Sequence, residues 1–388
     1  MATWNRPLPG VRLGERRTKI AMGDALTDLN VDEPGDLAPG WEWHISPLGR
    51  SYFVDHNTRT TSWKKAVHKR PAGSLTPERV IEGHSKIIWK MVCAGRSCNI
   101  LSGSRDESIR QWRRDGKLVG KPWHNDGGEV RALAVSPSET MVVSGSADGR
   151  LRLWNIKEGS VVGEPWEGHE GGIWDLDWSR NAREIVSGSE DGTIRRWNPD
   201  TGRQIGPTIE TAHFCVNVVK YSPQGGKFAS AGTDYKIRMW SKDGELLIEI
   251  KGHKNWVNSL CWSKDGAHIF TGSGDCTIRK WQSIDGKEVF LFRGHTATVA
   301  PLCLSRDGRH LFSASEDCSV RIWDLETNQP VGHPLWHDET LFSLAVCPKG
   351  QYIASAGIDK KIYVWNLEEA MKQGDEVRTH NCRCQYAL

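Results

Sequence analysis

Residues 168–197, GHEGGIWDLDWSRNAREIVSGSEDGTIRRW, hold the pattern that decides the fold. In this stretch His169 is followed by Ser187, Asp191 and Trp197. Short apolar runs alternate with turn residues, and no segment has a helical period. This alternation is typical of β-strands joined by tight turns. The stretch therefore predicts one small antiparallel sheet.

The same four residue types recur seven times along the chain. Each aspartate has a tryptophan six residues after it, a hydroxyl residue four before it and a histidine 21–24 before it. The seven quartets are His84, Ser102, Asp106, Trp112; His124, Ser144, Asp148, Trp154; His169, Ser187, Asp191, Trp197; His213, Ser230, Asp234, Trp240; His253, Thr271, Asp275, Trp281; His295, Ser313, Asp317, Trp323; and His337, Ser355, Asp359, Trp365. A period of about 40–45 residues is typical of repeat architectures in which each unit needs its neighbours.

These repeats resemble the WD40-repeat family. The resemblance implies an all-β fold, a seven-bladed β-propeller of four-stranded antiparallel blades, which we place at residues 76–368. Only Trp323-Asp324 keeps the dipeptide that gives the family its name. The segment PERVIE (77–82) matches the outer strands that precede the later histidines, so we expect it to complete the last blade and close the ring.

Ser, His and Asp recurring together could also indicate a hydrolase. A hydrolase needs one activated nucleophile, whereas here every repeat carries the set. We therefore interpret the quartets as structural, with Asp and Ser or Thr bracketing the imidazole and the hydroxyl accepting from the indole N–H. Neither a phosphate-binding glycine loop nor an H-E-x-x-H motif occurs. No catalytic residue is predicted.

The composition of the chain narrows the classes of function and partner that remain possible. Lys and Arg total 51 against 48 Asp and Glu, a net charge of +3, so a nucleic-acid partner is not indicated. No run approaches the ~20 apolar residues that a membrane span needs, so no membrane role is expected. The only dense ligand group, His380, Cys382 and Cys384, lacks a second ligand pair. We predict no metal and no cofactor.

A different module precedes the repeats, at residues 37–67. Trp41 and Trp63 flank Tyr52-Phe53 and two turns, which predicts three short antiparallel strands. The run YFVDHNTRTTSW (52–63) resembles WW domains, especially those of HECT-type ubiquitin ligases. The resemblance implies binding of proline-rich ligands, with Tyr52 and Trp63 forming the proline groove. It places Val54, His56 and Arg59 around the tyrosine of a Pro-Pro-x-Tyr ligand.

Two departures from the family's sequence pattern leave a second interpretation of this module open. Ala38 and Ala66 stand where the family usually has prolines that pack on the first tryptophan. A module that folds but no longer binds is therefore the alternative. Around it, we expect residues 1–36 to be disordered, residues 68–75 to be a basic linker, and residues 369–388 to be a tail that starts with one or two helical turns.

A partner surface on the propeller is predicted at the start of the innermost strands. The residue after the first core-facing apolar residue of each such strand is turned away from the core. The resulting candidates are Trp89, Arg131, Trp174 and Phe342, together with Trp256 from the preceding loop. Packing between blades is an equally good explanation of the same residues.

The combined pattern predicts a non-catalytic adaptor. Its WW module would bind proline-rich proteins, and its propeller would bind further proteins on the top face. The alternatives are a nuclear scaffold in RNA processing and a substrate adaptor in ubiquitin ligation. We expect a cytoplasmic protein, with the nucleus as the alternative location.

Overall fold

The computed structural model describes residues 41–45, 51–55, 60–62, 74–94 and 98–372. In the first three of these ranges the backbone forms β1 (Trp41–Ile45), β2 (Ser51–Asp55) and β3 (Thr60–Ser62). They pair antiparallel in the order β1-β2-β3. The segment 1–36, residues 68–73 of the linker and residues 373–388 of the tail lie outside the described residues.

Residues 79–366 form seven four-stranded antiparallel sheets. The strand preceding the first complete blade is β4 (Arg79–Ile81). Blade 1 contains β5 (Ile88–Ala94), β6 (Asn99–Ser104), β7 (Ser108–Trp112) and β8 (Trp123–His124). Blade 2 contains β9 (Val130–Val135), β10 (Met141–Ser146), β11 (Leu151–Asn155) and β12 (Ser160–Trp166). Blade 3 contains β13 (Ile173–Trp178), β14 (Ile185–Ser189), β15 (Thr193–Trp197) and β16 (Ile209–Glu210).

The other four blades repeat this arrangement. Blade 4 contains β17 (Val216–Tyr221), β18 (Lys227–Gly232), β19 (Ile237–Ser241) and β20 (Leu246–Ile250). Blade 5 contains β21 (Val257–Trp262), β22 (His268–Ser273), β23 (Ile278–Gln282) and β24 (Glu288–Phe292). Blade 6 contains β25 (Val299–Leu304), β26 (His310–Ser315), β27 (Ser319–Asp324) and β28 (Gln329–Trp336). Blade 7 contains β29 (Leu341–Val346), β30 (Tyr352–Gly357) and β31 (Ile362–Asn366).

The fourth strand of blade 7 comes from the other end of the propeller sequence. Strand β4 pairs with β31, and Ile81 lies opposite Ile362. This confirms the expectation that PERVIE completes the last blade. The prediction of a seven-bladed propeller of four-stranded antiparallel sheets is also confirmed. In the described residues the single α-helix, α1 (Leu367–Lys372), follows β31 directly and buries Leu367 and Ala370.

Apolar residues are buried between neighbouring blades rather than within one sheet. Between blades 2 and 3, Val143 and Leu151 pack with Ile173 and Ile185 in one core cluster. Because each blade supplies half of such a cluster, no blade buries its apolar faces alone. The same close packing explains Gly188, where an added Cβ would approach Val216 to 2.5 Å.

A tight turn follows the aspartate in every blade. The residue after it has a positive φ, whether it is glycine, as at Gly192 (φ 79°), or a larger residue, as at Tyr235 (φ 67°). In blade 3 the Asp191 carboxylate accepts a hydrogen bond from the Thr193 N–H at 2.8 Å. This side-chain bond stabilises a backbone conformation that most residues disfavour. The aspartate is therefore needed for the turn as well as for its contact with histidine.

Candidate functional site

Buried polar networks connect the four repeated residues in most blades. In blade 3, His169 Nδ1 lies 2.9 Å from Asp191 Oδ2, and His169 Nε2 lies 2.7 Å from Ser187 Oγ. Trp197 Nε1 donates to the same Ser187 Oγ at 2.8 Å. A neutral imidazole that donates from Nδ1 and accepts from the serine hydroxyl satisfies all three contacts.

The same network is present in blades 1, 5 and 6. There the imidazole lies 2.8 Å from the carboxylate and 2.7–2.8 Å from the hydroxyl, and the indole donates over 2.8–2.9 Å. The residues are His84, Ser102, Asp106, Trp112; His253, Thr271, Asp275, Trp281; and His295, Ser313, Asp317, Trp323. All three hydroxyl residues are 0% exposed. No solvent-borne molecule reaches these oxygens.

Blade 4 adds an arginine to its network. His213 lies 2.5 Å from Asp234 and 3.1 Å from Ser230, whose Oγ also accepts from Trp240. Arg238 donates to Asp234 at 2.7 Å and to Glu249 at 2.9 Å. Burial lowers the pKa of His213 despite the neighbouring carboxylate, so this imidazole is neutral at pH 7.

In blade 2 the prediction that His124 belongs to the buried network is wrong. His124 is exposed at the end of β8, and the buried neighbour is Asn125, which is 1% exposed. Asn125 Nδ2 donates to Ser146 Oγ at 2.9 Å. Asp148 instead accepts from Arg152 at 2.9 Å, while Trp154 still donates to Ser144 at 2.9 Å. An arginine therefore takes the aspartate contact that the sequence pattern had given to histidine.

Blade 7 also departs from the common arrangement. His337 Nε2 lies 2.7 Å from Ser355 Oγ, which accepts from Trp365. His337 Nδ1 lies 3.2 Å from the Leu335 carbonyl oxygen. Asp359 accepts a hydrogen bond from the Tyr363 hydroxyl at 2.5 Å.

The pKa values of the carboxylates in these networks are shifted in different directions. Burial alone would raise the pKa of Asp317, but hydrogen bonds from His295, Ser319 and the Thr296 N–H lower it to about 2. The pKa values of Asp106, Asp191, Asp234 and Asp275 are lowered in the same way, with burial opposed by the histidine bond. The pKa of Asp359 is raised because burial outweighs the Tyr363 bond. The five lowered aspartates are ionised acceptors at pH 7 and are poorly suited to act as general bases.

A second feature lies on the axis of the ring. One cavity of about 170 Å³ is lined by residues from all seven innermost strands, which only an axial position allows. It includes the residue after the first apolar residue of every inner strand: Trp89, Arg131, Trp174, Asn217, Asn258, Ala300 and Phe342. The structure thus brings together four of the five predicted surface residues. These four belong to blades 1, 2, 3 and 7.

Aromatic contacts join those four residues across the axis. Trp89 packs edge-to-face on Trp174, with ring centroids 5.9 Å apart, and lies 5.2 Å from the Phe342 ring. The Arg131 guanidinium lies 4.5 Å above the Trp174 ring and donates to Glu190 at 2.6 Å. Trp89 is only 9% exposed, so part of this cluster also serves packing between blades. Trp256 is half-buried on the loop before β21 and is not among the residues that line the cavity.

Charged residues that line the same cavity form ion pairs with one another. Asp175 is 2% exposed and lies 3.0 Å from Lys90 Nζ and 2.7 Å from Lys220 Nζ. Burial acts to raise the pKa of Asp175, but the two lysines lower it overall. Asp175, Lys90 and Lys220 are therefore held in the cavity wall as ion pairs.

The structure describes only part of the predicted proline site. Tyr52 and Val54 belong to β2. His56, Arg59 and Trp63 lie outside the described residues. Within the described ranges no cluster of three or more His, Cys, Asp or Glu side chains is arranged to hold a metal. No described helix is long and apolar enough to span a bilayer.

Comparison with protein families agrees with this geometry. The model of the WD domain, G-beta repeat, matches residues 75–113, 116–155, 159–198, 206–241, 244–282, 286–324 and 329–366. The chain belongs to the WD40-repeat family. A WW-domain model matches residues 37–65, in front of the WD40 propeller.

Similar proteins fall into two groups. The WD40 domain of Doa1, in a crystal structure, superposes with a TM-score of 0.67 and 21% identity over 74% of this chain and 95% of that one, which supports the fold. E3 ubiquitin-protein ligase pub1 of Schizosaccharomyces pombe is 69% identical over 48 residues, 12% of this chain and 6% of pub1. E3 ubiquitin-protein ligase RSP5 of Chaetomium thermophilum is 36% identical over 91 residues, 20% of this chain and 11% of RSP5. The WD40 chain therefore spans about a tenth or less of these ligases.

Proposed function

We propose that this protein is a non-catalytic adaptor with two protein-binding sites. WW and WD40 domains both indicate protein-interaction roles. In this proposal the WW module binds Pro-Pro-x-Tyr-like segments, and the propeller holds a second protein at the axial aromatic cluster of Trp89, Arg131, Trp174 and Phe342. The burial of the quartet hydroxyls carries the proposal, because it leaves the repeated Ser, His and Asp without access to a substrate.

The ligand of the WW module follows from its residues. Extended proline segments have little conformational entropy left to lose, and their flat rings stack on aromatic side chains. Tyr52 and Trp63 are the aromatic pair that we assign to this groove. Val54, His56 and Arg59 are assigned to the tyrosine of the ligand. The 69% identity to pub1 is confined to 12% of this chain, and the WW match falls at residues 37–65, which supports a shared ligand class.

Joining two modules in one chain strengthens capture of a partner that offers both ligands. The second contact becomes intramolecular, so overall affinity rises by a factor of about 10²–10⁴ without a new interface. Each module alone is then expected to bind weakly.

A pull-down from cell extract with four forms of the full chain tests this function. The forms are the natural chain, Tyr52→Ala with Trp63→Ala, Trp174→Ala, and Asp200→Asn as an exposed control. We expect the WW double variant to lose Pro-Pro-x-Tyr proteins and to retain propeller partners, with the reverse for Trp174→Ala. Identical partner sets for all four forms would contradict the proposal.

A role beside ubiquitin ligases is the second candidate. It is favoured by the similarity of the WW region to RSP5, pub1 and the probable E3 ubiquitin-protein ligase hulA of Aspergillus terreus, which is 69% identical over 43 residues. Here the adaptor would bind the same proline-rich proteins as such ligases. Competition between this chain and a ligase WW domain for one Pro-Pro-x-Tyr peptide tests the shared specificity.

We also propose a cytoplasmic location, with the nuclear RNA-processing scaffold as the competing function. Fluorescence microscopy of the tagged full chain separates the two. Exclusive nuclear signal would favour RNA processing, and the cytoplasmic proposal would then be wrong.

A further inference from the structure

Three polar atoms around the axial cavity have no hydrogen-bond partner in the described part of the chain. They are Nε1 of Trp89, Nε1 of Trp174 and Oδ1 of Asn217. Asn217 is 8% exposed, and its Nδ2 donates to the Val257 carbonyl oxygen at 3.2 Å, which fixes the orientation of the amide. Buried polar atoms without partners are rare because their lost hydration is not replaced. Three of them around one cavity call for a ligand that supplies the missing bonds.

Other tryptophans of the propeller show that an unpaired indole is not a general property of this fold. Nine described indoles donate to a hydroxyl or a carbonyl oxygen: Trp112, Trp154, Trp178, Trp197, Trp240, Trp262, Trp281, Trp323 and Trp365. Trp178 and Trp262 stand on inner strands, as Trp89 and Trp174 do, and their acceptors are carbonyl oxygens of the neighbouring blade. The two axial tryptophans differ from these in being among the residues that line the axial cavity.

The charges around the cavity favour a neutral ligand. Arg131 is bonded to Glu190, and Asp175 is held between Lys90 and Lys220. A charged ligand would lose its hydration on entry and would compete with these existing ion pairs, which disfavours it. The unpaired atoms are two donors and one acceptor, so the ligand needs both an acceptor and a donor.

We propose that the axial cavity binds the side-chain carboxamide of a glutamine or asparagine presented by the partner protein. The carboxamide oxygen has two lone pairs and accepts from both indole N–H groups, while its NH₂ group donates to Asn217 Oδ1. The planar group also packs against the rings of Trp89 and Phe342. This inference rests on the proposed function, since it names the chemistry that the axial face of the adaptor recognises.

Entry of the carboxamide requires a side-chain rearrangement. Both indole nitrogens are fully buried in the aromatic cluster. Trp174 is half-buried and touches Trp89 by an edge contact, so in this proposal Trp174 is the side chain that rotates. Rotamer changes of this kind are common when proteins bind partners.

Indole N–H resonances of the ¹⁵N-tryptophan-labelled full chain provide the test. The probes are the capped peptides acetyl-Gly-Gln-Gly-N-methylamide, acetyl-Gly-Glu-Gly-N-methylamide and acetyl-Gly-Met-Gly-N-methylamide, which share a backbone without a primary carboxamide and differ in one side chain of similar length. We expect the Trp89 and Trp174 resonances to move with the glutamine peptide, with at least tenfold weaker binding of the other two. No movement, or equal movement with all three peptides, would mean that the cavity does not recognise the carboxamide, and the proposal would be wrong.

Matched substitutions separate the unpaired indoles from bonded ones. Trp89→Phe and Trp174→Phe remove an N–H without a partner, so we expect at least tenfold weaker binding of the glutamine peptide and only the fall in melting temperature that the smaller ring causes. Trp112→Phe removes an N–H that is bonded to Ser102, so it should lower the melting temperature and leave peptide binding unchanged. Weaker binding in Trp112→Phe alone would overturn the assignment. If a variant does not fold, the titration of the natural chain still decides.

The adaptor function and the carboxamide site can fail separately in these experiments. If Trp174→Ala loses protein partners in the pull-down but the three peptides bind equally, the axial face binds proteins by another chemistry and the carboxamide proposal fails. If the glutamine peptide binds selectively but no partner depends on the axial residues, the cavity chemistry stands and the two-site adaptor function fails.

Discussion

Asp317→Asn tests whether a quartet carboxylate stabilises the propeller. This carboxylate accepts from His295 at 2.8 Å, from the Ser319 hydroxyl at 2.6 Å, and from the N–H groups of Thr296 and Ser319 at 3.1 and 3.0 Å. The residue is 6% exposed, so solvent screens these bonds little. Asparagine keeps the shape but loses the charge, and one of its two terminal atoms becomes a donor that faces donors.

The expected loss follows from the pKa. Burial raises the pKa of Asp317, but the four bonds lower it from 3.8 to about 2. A difference of nearly two pKa units corresponds to about 2.5 kcal/mol, at 1.36 kcal/mol per unit. We therefore expect Asp317→Asn to lower the free energy of unfolding by about 2–3 kcal/mol at pH 7. At roughly 2 °C per kcal/mol for a chain of this size, the melting temperature falls by about 4–6 °C.

The pH dependence checks the cause. Because the folded pKa is lowered, the stabilisation is fully present well above the unfolded pKa and is lost as the pH falls towards the folded value of about 2. Melting curves by circular dichroism should show a constant difference between the two proteins from pH 7 to about pH 5. The difference should then shrink at lower pH. Asp200→Asn, at an exposed turn, is the control. Asp317→Asn melting within 1 °C of that control at pH 7 would show that this carboxylate does not stabilise the propeller.

Three further measurements test separate features. Asn125→Ala should lower the free energy of unfolding by about 1–2 kcal/mol, whereas His124→Ala should change it by less than about 0.5 kcal/mol; equal losses in chemical denaturation would contradict the corrected blade 2. Ile81→Ala removes a buried side chain of the closing strand and should lower the free energy of unfolding by about 2–4 kcal/mol. Val80→Ala, at an exposed position of the same strand, is the control, and equal losses in the two variants would argue against closure by β4. Burial raises the pKa of Cys261 to about 12, so its thiol should react with an aromatic disulfide reagent at pH 8 only as the chain unfolds. Mass spectrometry measures this reaction, and rapid labelling of Cys261 in the native protein would show that the thiol is accessible.

The sequence predicts the blades well because each blade repeats a local pattern. Strand alternation, the turn after each aspartate and the fixed spacing from Ser187 to Trp197 all act within one repeat. The histidine spacing also held a signal for the exception in blade 2. His124 lies 24 residues before Asp148, whereas the other six histidines lie 21 or 22 before theirs. A residue displaced by two positions on a short strand end does not reach the same buried place.

The axial site depends on distances that no local pattern contains. Trp89 and Trp174 stand in blades 1 and 3, with blade 2 between them, yet their rings touch because the ring of inner strands brings them to one axis. Alternation predicted that both side chains leave the core, but not that they meet. It also did not separate Trp256, which precedes its strand by one residue and lies outside the cavity lining. Trp256 is the exception because a shift of one position along the chain places a residue in the loop instead of on the innermost strand.

Closure by β4 has a consequence for synthesis. Ile81 leaves the ribosome about 280 residues before its partner Ile362. At 5–20 residues per second, the wait between the two is about 15–60 s. During this time the backbone of β4 has no sheet to join, and blade 7 lacks its outer strand. The ring is therefore completed only once blade 7 has been synthesised, and a ribosome that stalls before blade 7 leaves an open sheet edge beside an unattached strand.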